Sequence, residues 1–261
     1  MPIPANTNSS DSAITSLAII SDIHSNSLAL AAVLEDIASR HIPLIVNLGD
    51  ALLGPIDPVG TARMLMAQPH LVNLMGNCDQ ILLEPNFQSA SYQFVKPLLT
   101  SDIEQWITSF QPNWTWEQLF FCHGTPFANN RYLMEEVTAS GVILKDSAQL
   151  ALELQDIAYP YLFCGHSHVY KRIYLPDGKL IVNAGSVGLP AYEDEEPLPH
   201  VMESHTPHAE YVIARKHING WSTEHISLPY DWENASAIAR NNGRDDYAYA
   251  LRTGRALSLT N

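Results

Sequence analysis

The chain has 261 residues, 46% of them apolar, enough for one large core or at most two small ones. Fourteen basic against 28 acidic side chains leave a net charge of −14. That field repels a polyanion and argues against a general nucleic-acid-binding protein.

The first residues, MPIPANTNSSDSA, have no basic start and no long apolar stretch, so they do not read as a secretory signal. Residues 1–14 read as a flexible polar tail and residues 15–261 as a single domain. No run approaches the roughly 18 apolar residues of a membrane span. Three widely spaced cysteines, Cys78, Cys122 and Cys164, argue against a disulfide framework and fit a reducing, cytoplasmic setting.

SLAIISD (16–22) is the first of several short apolar runs with a polar terminus. LIVNLGD (44–50), LVNLMGN (71–77), QLFFCHG (118–124), YLFCGHSH (161–168) and KLIVNAGS (179–186) follow. Each reads as a buried strand. Between the first two, residues 25–41 set Leu28, Ala31, Ala32, Leu34, Ile37 and Ala38 at helical spacing. Ser25, Asn26 or Ser27 stands ready to cap them. Residues 57–67, 101–110, 131–137 and 147–155 also read as helices. The β-α-β-α-β order marks an α/β fold.

The second half is strand-rich. Residues 170–175 and 179–182 flank a Pro-Asp-Gly turn, and residues 210–217 and 221–228 flank an Asn-Gly turn, both hairpin signals. Residues 190–208, with four prolines and many acidic residues, read as an irregular acidic loop or lid. His200, His205 and His208 lie in it without tight ligand spacing and read as part of a solvated lid. Residues 231–256 read as two C-terminal helices around Asn241-Asn242-Gly243. Cys122 and Cys164 fall within buried runs and read as small core residues.

The polar residues at the strand ends share a chemistry. Asp22 and His24, Asp50, Asn77, His123, and then His166 and His168 place seven donors at five strand termini. In open α/β sheets, sites form outside the carboxyl ends of the strands. Asp22/His24 and His166/His168 are spaced i,i+2, which in extended chain projects both side chains to one face. Asp, Asn and neutral His suit divalent ions such as Mn²⁺, Zn²⁺ or Fe²⁺. One such pair alone is a weak signal. Five donor groups in this order, each ending an apolar run, form a specific one.

The order Asp22-Ile23-His24, Gly49-Asp50, Gly76-Asn77-Cys78-Asp79, His123-Gly124, Gly165-His166-Ser167-His168 resembles the calcineurin-like metallophosphoesterase family. With SDIHSN and NAGSVG it resembles most the small bacterial and archaeal phosphodiesterase-type branch, over about residues 17–188. The resemblance implies a four-layer αββα sandwich of two mixed β-sheets flanked by helices. It also implies two divalent metal ions, Mn²⁺ foremost, with Fe, Zn, Ni or Co as alternatives. By the same resemblance Asp22, His24 and His168 would hold the first ion. Asn77, His123 and His166 would hold the second, and Asp50 would bridge both.

The activity so implied is hydrolysis of phosphoric esters through metal-bound hydroxide, foremost by a phosphodiesterase acting on small phosphodiesters or nucleotides. A phosphomonoesterase or a dinucleoside polyphosphate hydrolase is the alternative. A non-catalytic scaffold of the same fold is a reading of another class, which the full set of seven donors opposes. The expected partner is a small phosphate-ester substrate, with neither nucleic acid nor membrane.

The match departs at two points. The fuller family pattern has His after the Asn, taken as the acid that protonates the leaving oxygen, where this chain has Cys78. A thiol is mostly protonated at pH 7 and can donate, though weakly; packing beside the site is the equal alternative. A second Asp downstream of Gly49-Asp50 is replaced by Leu52 and Leu53. Asp79 either orients its neighbours or caps the next helix. Asp50, Asn77, Cys78 and His123 are thus the catalytic candidates. Asn26, Asn130 and Arg131 are candidates for substrate phosphate, with a helix cap the alternative for Asn26 and a surface role for Arg131.

Overall fold

Leu17 and Ile19 of the first strand face one way and Ala18 and Ile20 the other, and all four are fully buried. A strand covered on both faces reads as a continuous apolar run, and it demands a layer above and a layer below. The structure, a computed structural model, describes residues 14–257. The expected tail over residues 1–14 lies outside them except for Ile14.

The first half runs β1 (Ser16–Ile20), α1 (Ser27–Ser39), β2 (Ile45–Asn47), α2 (Pro58–Met66), β3 (Leu71–Asn73), α3 (Asn77–Leu83), α4 (Ala90–Val95) and α5 (Ser101–Thr108). Next come β4 (Asn113–Trp116), β5 (Leu119–Cys122), β6 (Glu135–Thr138), β7 (Gly141–Leu144), α6 (Ser147–Glu153) and β8 (Tyr161–Cys164). The chain continues through β9 (Lys171–Tyr174), β10 (Leu180–Asn183), β11 (Ala191–Asp194), β12 (His200–Glu203), β13 (Ala209–His217) and β14 (Gly220–Leu228). It closes with α7 (Trp232–Asn241) and α8 (Asp245–Thr253).

Two five-stranded sheets form, in the orders β14-β13-β1-β2-β3 and β4-β5-β8-β10-β9. In the first, β1, β2 and β3 run parallel and β13 and β14 join antiparallel at one side; in the second, β5, β8 and β10 run parallel and the two outer pairings are antiparallel. Helical crossovers join the parallel pairs of the first sheet, while β8 and β10 are joined through β9. Leu17, Ile19, Val46 and Val212 of the first sheet meet Phe121, Phe163 and Val182 of the second in one cluster. Each such fully buried side chain contributes roughly 1.5–3 kcal/mol. Outside the first sheet pack α1 to α5, α1 capped by the Asn26 side chain on Ala29 N–H. Outside the second, Phe120, Cys122, Leu162 and Cys164 meet Leu133, Met134, Leu150 and Leu154. The expected order of layers holds, and the last layer is thin: α6 and the β6–β7 hairpin. The C-terminal helices pack through Ala235, Ala239, Ala248 and Leu251 on Ile56, Leu189 and Ala191, beside the strand ends.

Two expectations are corrected. Residues 131–137 are not a helix: β6 pairs antiparallel with β7 across a turn before Gly141. Glu135 and Glu136 favour a helix locally, but Glu135 points inward, where Ser167 Oγ and Lys171 Nζ donate to it at 3.0 and 2.7 Å. Those distant partners override propensity. Residues 190–208 are not irregular either. β11 and β12 form a hairpin with Tyr192 opposite Met202 and Asp194 opposite His200. In β12 His200 and Met202 are buried and Val201 between them is exposed, a period-two alternation hidden by the prolines of the turn.

Candidate metal centre

The carboxyl ends of β1, β2, β3, β5 and β8 bring the seven candidate donors to one place. They do so through a backbone the sequence does not announce. β1 stops at Ile20 and β8 at Cys164, and Asp22, His24, Asp50, His166 and His168 all have φ between 46° and 67°. The two i,i+2 pairs converge, but through left-handed residues and not through extended chain. Each such residue costs roughly 1–2 kcal/mol and persists only where its surroundings over-determine it. Here the first loop is stitched to its neighbours. Asp22 N–H donates to Gly49 O, His24 N–H to Asp50 O, and Gly188 N–H to Asp22 O, each at 3.0 Å.

The β2 and β3 loops also approach too closely for any side chain. A Cβ on Gly49 would stand 2.5 Å from Gly76 N, and one on Gly76 would stand 2.0 Å from Asp50 Oδ1. Gly49, at φ 122°, has the further need of a left-handed backbone.

Asp79 sets this crossing. Its carboxylate accepts from Asp50 N–H at 2.7 Å, Ala51 N–H at 2.9 Å and Gly76 N–H at 3.1 Å. It thus does both things the sequence offers it, holding the Asp50 loop and closing the first turn of α3. Burial and the neighbouring Asp50 charge push its carboxyl up to about 7 against these three donors.

The imidazoles are aimed by backbone. His24 Nδ1 donates to Leu53 O at 2.8 Å, His168 Nδ1 to Leu189 O at 2.6 Å and His123 Nδ1 to Leu48 O at 3.1 Å. A carbonyl can only accept, so in the neutral rings every Nε2 carries a lone pair. Yet His24 Nε2 and His168 Nε2 face each other at 3.2 Å. Asp22 Oδ1, buried and without a hydrogen-bond partner, stands 3.3 Å from His168 Nε2. His123 Nε2 lies 3.0 Å from Asn77 Oδ1 and 3.4 Å from Asp50 Oδ2, which is also 3.8 Å from His24 Nε2. Converging lone pairs of N and O donors on rings held by backbone carbonyls are what a divalent cation satisfies.

The donors fall into overlapping sets. Asp22, His24 and His168 bring one ligand atom each within 4.8 Å of one another, as do Asp50, His123 and His166, and also His24, Asp50 and Cys78. The residues present therefore fit two cations with Asp50 between them.

Protonation agrees with that geometry. Burial would raise the Asp50 carboxyl, but His123 pulls it below the ordinary carboxylate range. Burial pushes His166 down to about 3, with His123 adding to the effect, so the ring stays neutral and one nitrogen keeps its lone pair free. Burial would also lower His123, but the Asp50 carboxylate overrides it and lifts the ring to about 9. A proton there takes the place that a cation can take. Cys78 is different: burial first, then Asp50, holds its thiol well above the usual range. Its sulfur accepts a weak contact from Asn77 Nδ2 at 3.7 Å.

The proposed phosphate contacts do not assemble. Asn26 is fully buried and its amide is spent: Oδ1 accepts from Ala29 N–H, and Nδ2 donates to Gly188 O and Tyr230 OH. It is a helix cap. The loop after His123 closes on itself, Thr125 N–H donating to Ala128 O at 2.8 Å, so Asn130 and Arg131 end exposed and away from the cleft.

Other residues stand in their stead. A cleft of about 240 Å³ runs from His24, Asp50, Asn77 and His168 past Cys78 to Tyr192, Arg244 and Tyr247. Tyr192 packs its ring on His168, centroids 4.5 Å apart, and donates to His166 O at 2.9 Å. Tyr132 lies on His166 at 4.9 Å and bonds both Tyr192 OH and His200 Nε2. His200, expected in a solvated lid, is instead buried in this chain of contacts. No local motif marks these residues, whose partners lie 60 and 68 positions along the chain from Tyr132.

With this geometry in hand, comparison with known proteins gives a consistent answer. A family model described as the calcineurin-like phosphoesterase superfamily domain matches residues 16–205. The uncharacterized protein MJ0912 of Methanocaldococcus jannaschii is 29% identical over 199 residues, covering 67% of this chain and 76% of its own length. The crystal structure of a metallophosphoesterase from Sphaerobacter thermophilus superposes with a TM-score of 0.71 at 21% identity, covering 92% of this chain and 99% of that one. Hypothetical protein PH1004 from Pyrococcus horikoshii OT3 superposes with a TM-score of 0.72 at 14% identity, covering 93% and 99%. At such identities the two structures speak for the fold. Among the described residues no helix is long and apolar enough to cross a membrane.

Proposed function

Since the chain belongs to the calcineurin-like phosphoesterase superfamily and is a hydrolase of phosphoric esters, we propose that it is a two-metal phosphodiesterase of small phosphodiesters or nucleotides. The observation that carries this reading is the His24–His168 contact, two aimed lone pairs at 3.2 Å beside the orphaned Asp22 Oδ1. Asp22, His24 and His168 would hold one divalent ion and Asn77, His123 and His166 the other, with Asp50 serving both. When bound, such a pair supplies Lewis acidity toward a phosphoryl oxygen and activates water for in-line attack.

The chain's own residues do the rest. Leu48, Leu53 and Leu189 carbonyls fix the rings, and Cys78 N–H holds Asp50 Oδ1 at 2.9 Å, leaving Oδ2 to point inward. Tyr192 covers the His166–His168 turn and limits water there. The Cys78 thiol stays protonated at neutral pH, a proton source beside the cleft but a weak hydrogen-bond donor. Esters with good leaving groups suit it best.

The metal-loaded protein is expected to hydrolyse bis(p-nitrophenyl) phosphate. Stripping with a chelator should abolish the rate, and Mn²⁺, Fe²⁺, Zn²⁺, Ni²⁺ or Co²⁺, added singly, should identify the ion that restores it. Elemental analysis showing no bound metal, together with no gain from any of the five, overturns the reading. Parallel rates on a monoester and a dinucleoside polyphosphate set the ester preference.

Cys78→His is expected to raise turnover of a monoester with a poor leaving group, relative to the diester, by about 100-fold, the low side of a general acid's contribution. An unchanged ratio assigns the thiol to packing.

A further inference from the structure

Beyond the donors, the cleft has one acidic wall and one that carries a cation. The β11 wall presents the exposed carboxylates of Glu193 and Asp194. The α8 wall presents Arg244 over Tyr247, with the guanidinium carbon 4.3 Å from the ring centroid, and the Asp246 carboxylate beside it. This wall lies outside residues 16–205, the part matched by the family model.

Arg244 is no free surface cation, since its side chain is only 19% exposed. Nε and Nη2 donate to the Asp246 carboxylate at 2.9 and 2.6 Å, and Nη1 donates to Ser91 Oγ. These contacts take three of the five guanidinium N–H groups. Asp246 grips the Nε side, so Nη1 and Nη2 each keep one unspent donor. Asp246 cancels much of the charge at long range but not the direction of those donors. A fork held on one edge and stacked on a ring is ordered before ligand arrives, which saves the entropy of ordering it.

We propose that this wall is an anion subsite, in which Arg244 selects phosphodiesters whose organic substituent carries a second anionic group. The inference rests on the phosphoesterase reading of the donor cluster. A scissile phosphoryl at the donors places its substituent along Leu189, Ala191 and Tyr247. Glu193 and Asp194 repel an anion on the other wall, and the Nη1/Nη2 edge accepts it on this one. The cleft volume, small for a ligand site, limits the substituent to about the size of a nucleoside or sugar.

Two chromogenic diesters test this: the p-nitrophenyl ester of thymidine 5′-phosphate, with and without a 3′-phosphate. They share the scissile bond and the leaving group. For the wild type, kcat/KM should be about 10- to 100-fold higher with the 3′-phosphate, the range of a charge-assisted hydrogen bond. In Arg244→Gln the ratio should fall to near one, chiefly through KM, and Arg244→Lys should lie between. Ser91→Ala removes the anchor of α8 but keeps the guanidinium, so its ratio should match the wild type. An equal ratio in wild type and Arg244→Gln overturns the subsite, as does a wild-type ratio of one. If Arg244→Gln does not fold, the Lys variant decides by the same ratio. Calorimetric titration of the metal-loaded protein with thymidine 3′,5′-bisphosphate and thymidine 5′-phosphate separates the two levels. A bisphosphate preference lost in the variant upholds the subsite even where neither ester is cleaved. In that case the phosphodiesterase reading fails alone.

Discussion

Replacing Asp50 by Asn is expected to lower hydrolysis of bis(p-nitrophenyl) phosphate by more than about 10²-fold, beyond the usual effect of altering a residue that only supports a ligand. The substitution is nearly isosteric. Asn can still accept from Cys78 N–H through Oδ1, as Asp50 does at 2.9 Å, so the β2 loop should keep its shape. What changes is the other atom. Oδ2 stands 3.4 Å from His123 Nε2 and 3.8 Å from His24 Nε2, between the two donor sets. An amide nitrogen there has no lone pair to offer and brings two N–H groups toward sites that call for a cation. Elemental analysis should show bound metal falling from two ions per chain toward one or none, with the thermal melt little changed. Full activity in this variant removes Asp50 from the centre and sinks the proposed ligand assignment.

The order of the donors was legible because it coincides with the ends of apolar runs. Asp22, Asp50, His123 and His166 each follow a strand buried on both faces, and such strands are conspicuous in composition. The hairpins at Asp177-Gly178 and Asn219-Gly220 carry their turn chemistry in two residues. What escaped depends on contacts made across the chain. Glu135 reads as a helix former until Ser167 and Lys171, 32 and 36 positions away, draw it inward. Arg244 has no motif around it, and its place in the cleft follows from the docking of α8 and a bond to Ser91, 153 positions back. Arg131, scarce as a cation and close in sequence to His123, was the better candidate on paper. The turn at Thr125–Ala128 sends it to the surface. The left-handed backbone at Asp22, His24, Asp50, His166 and His168 was hidden for a related reason. Asp and His tolerate it better than most residues, but nothing in the local sequence requires it, and the surrounding hydrogen bonds impose it.

Asp79→Ala should be among the most destabilising single substitutions in this chain, although Asp79 belongs to neither donor set. Its carboxylate is the acceptor for three backbone N–H groups, those of Asp50, Ala51 and Gly76. All three lie where the β2 and β3 loops cross and where Gly49 and Gly76 leave no room for a side chain. Alanine leaves these donors buried without acceptors, each costing roughly 1–3 kcal/mol. Three such losses come to about 3–9 kcal/mol, and relief of the buried charge, whose carboxyl burial raises to about 7, offsets part of it; a net of about 3–5 kcal/mol sits at the upper end of single-residue effects and is a large part of the 5–15 kcal/mol typical of a folded domain. At about 2–4 °C per kcal/mol for a chain of this size, the melting temperature should fall by roughly 10 °C. Asp79→Asn is the discriminating control. Its amide oxygen can take the position that serves Asp50 and Gly76 N–H, so that Ala51 N–H alone loses its acceptor, and the loss should be about a third of that in the Ala variant. Equal melting temperatures for Ala and Asn would show that the crossing is held by the glycine contacts and not by the carboxylate. The expected order, wild type above Asn above Ala, ties the stability of the fold to the same loop that presents Asp50 to the centre.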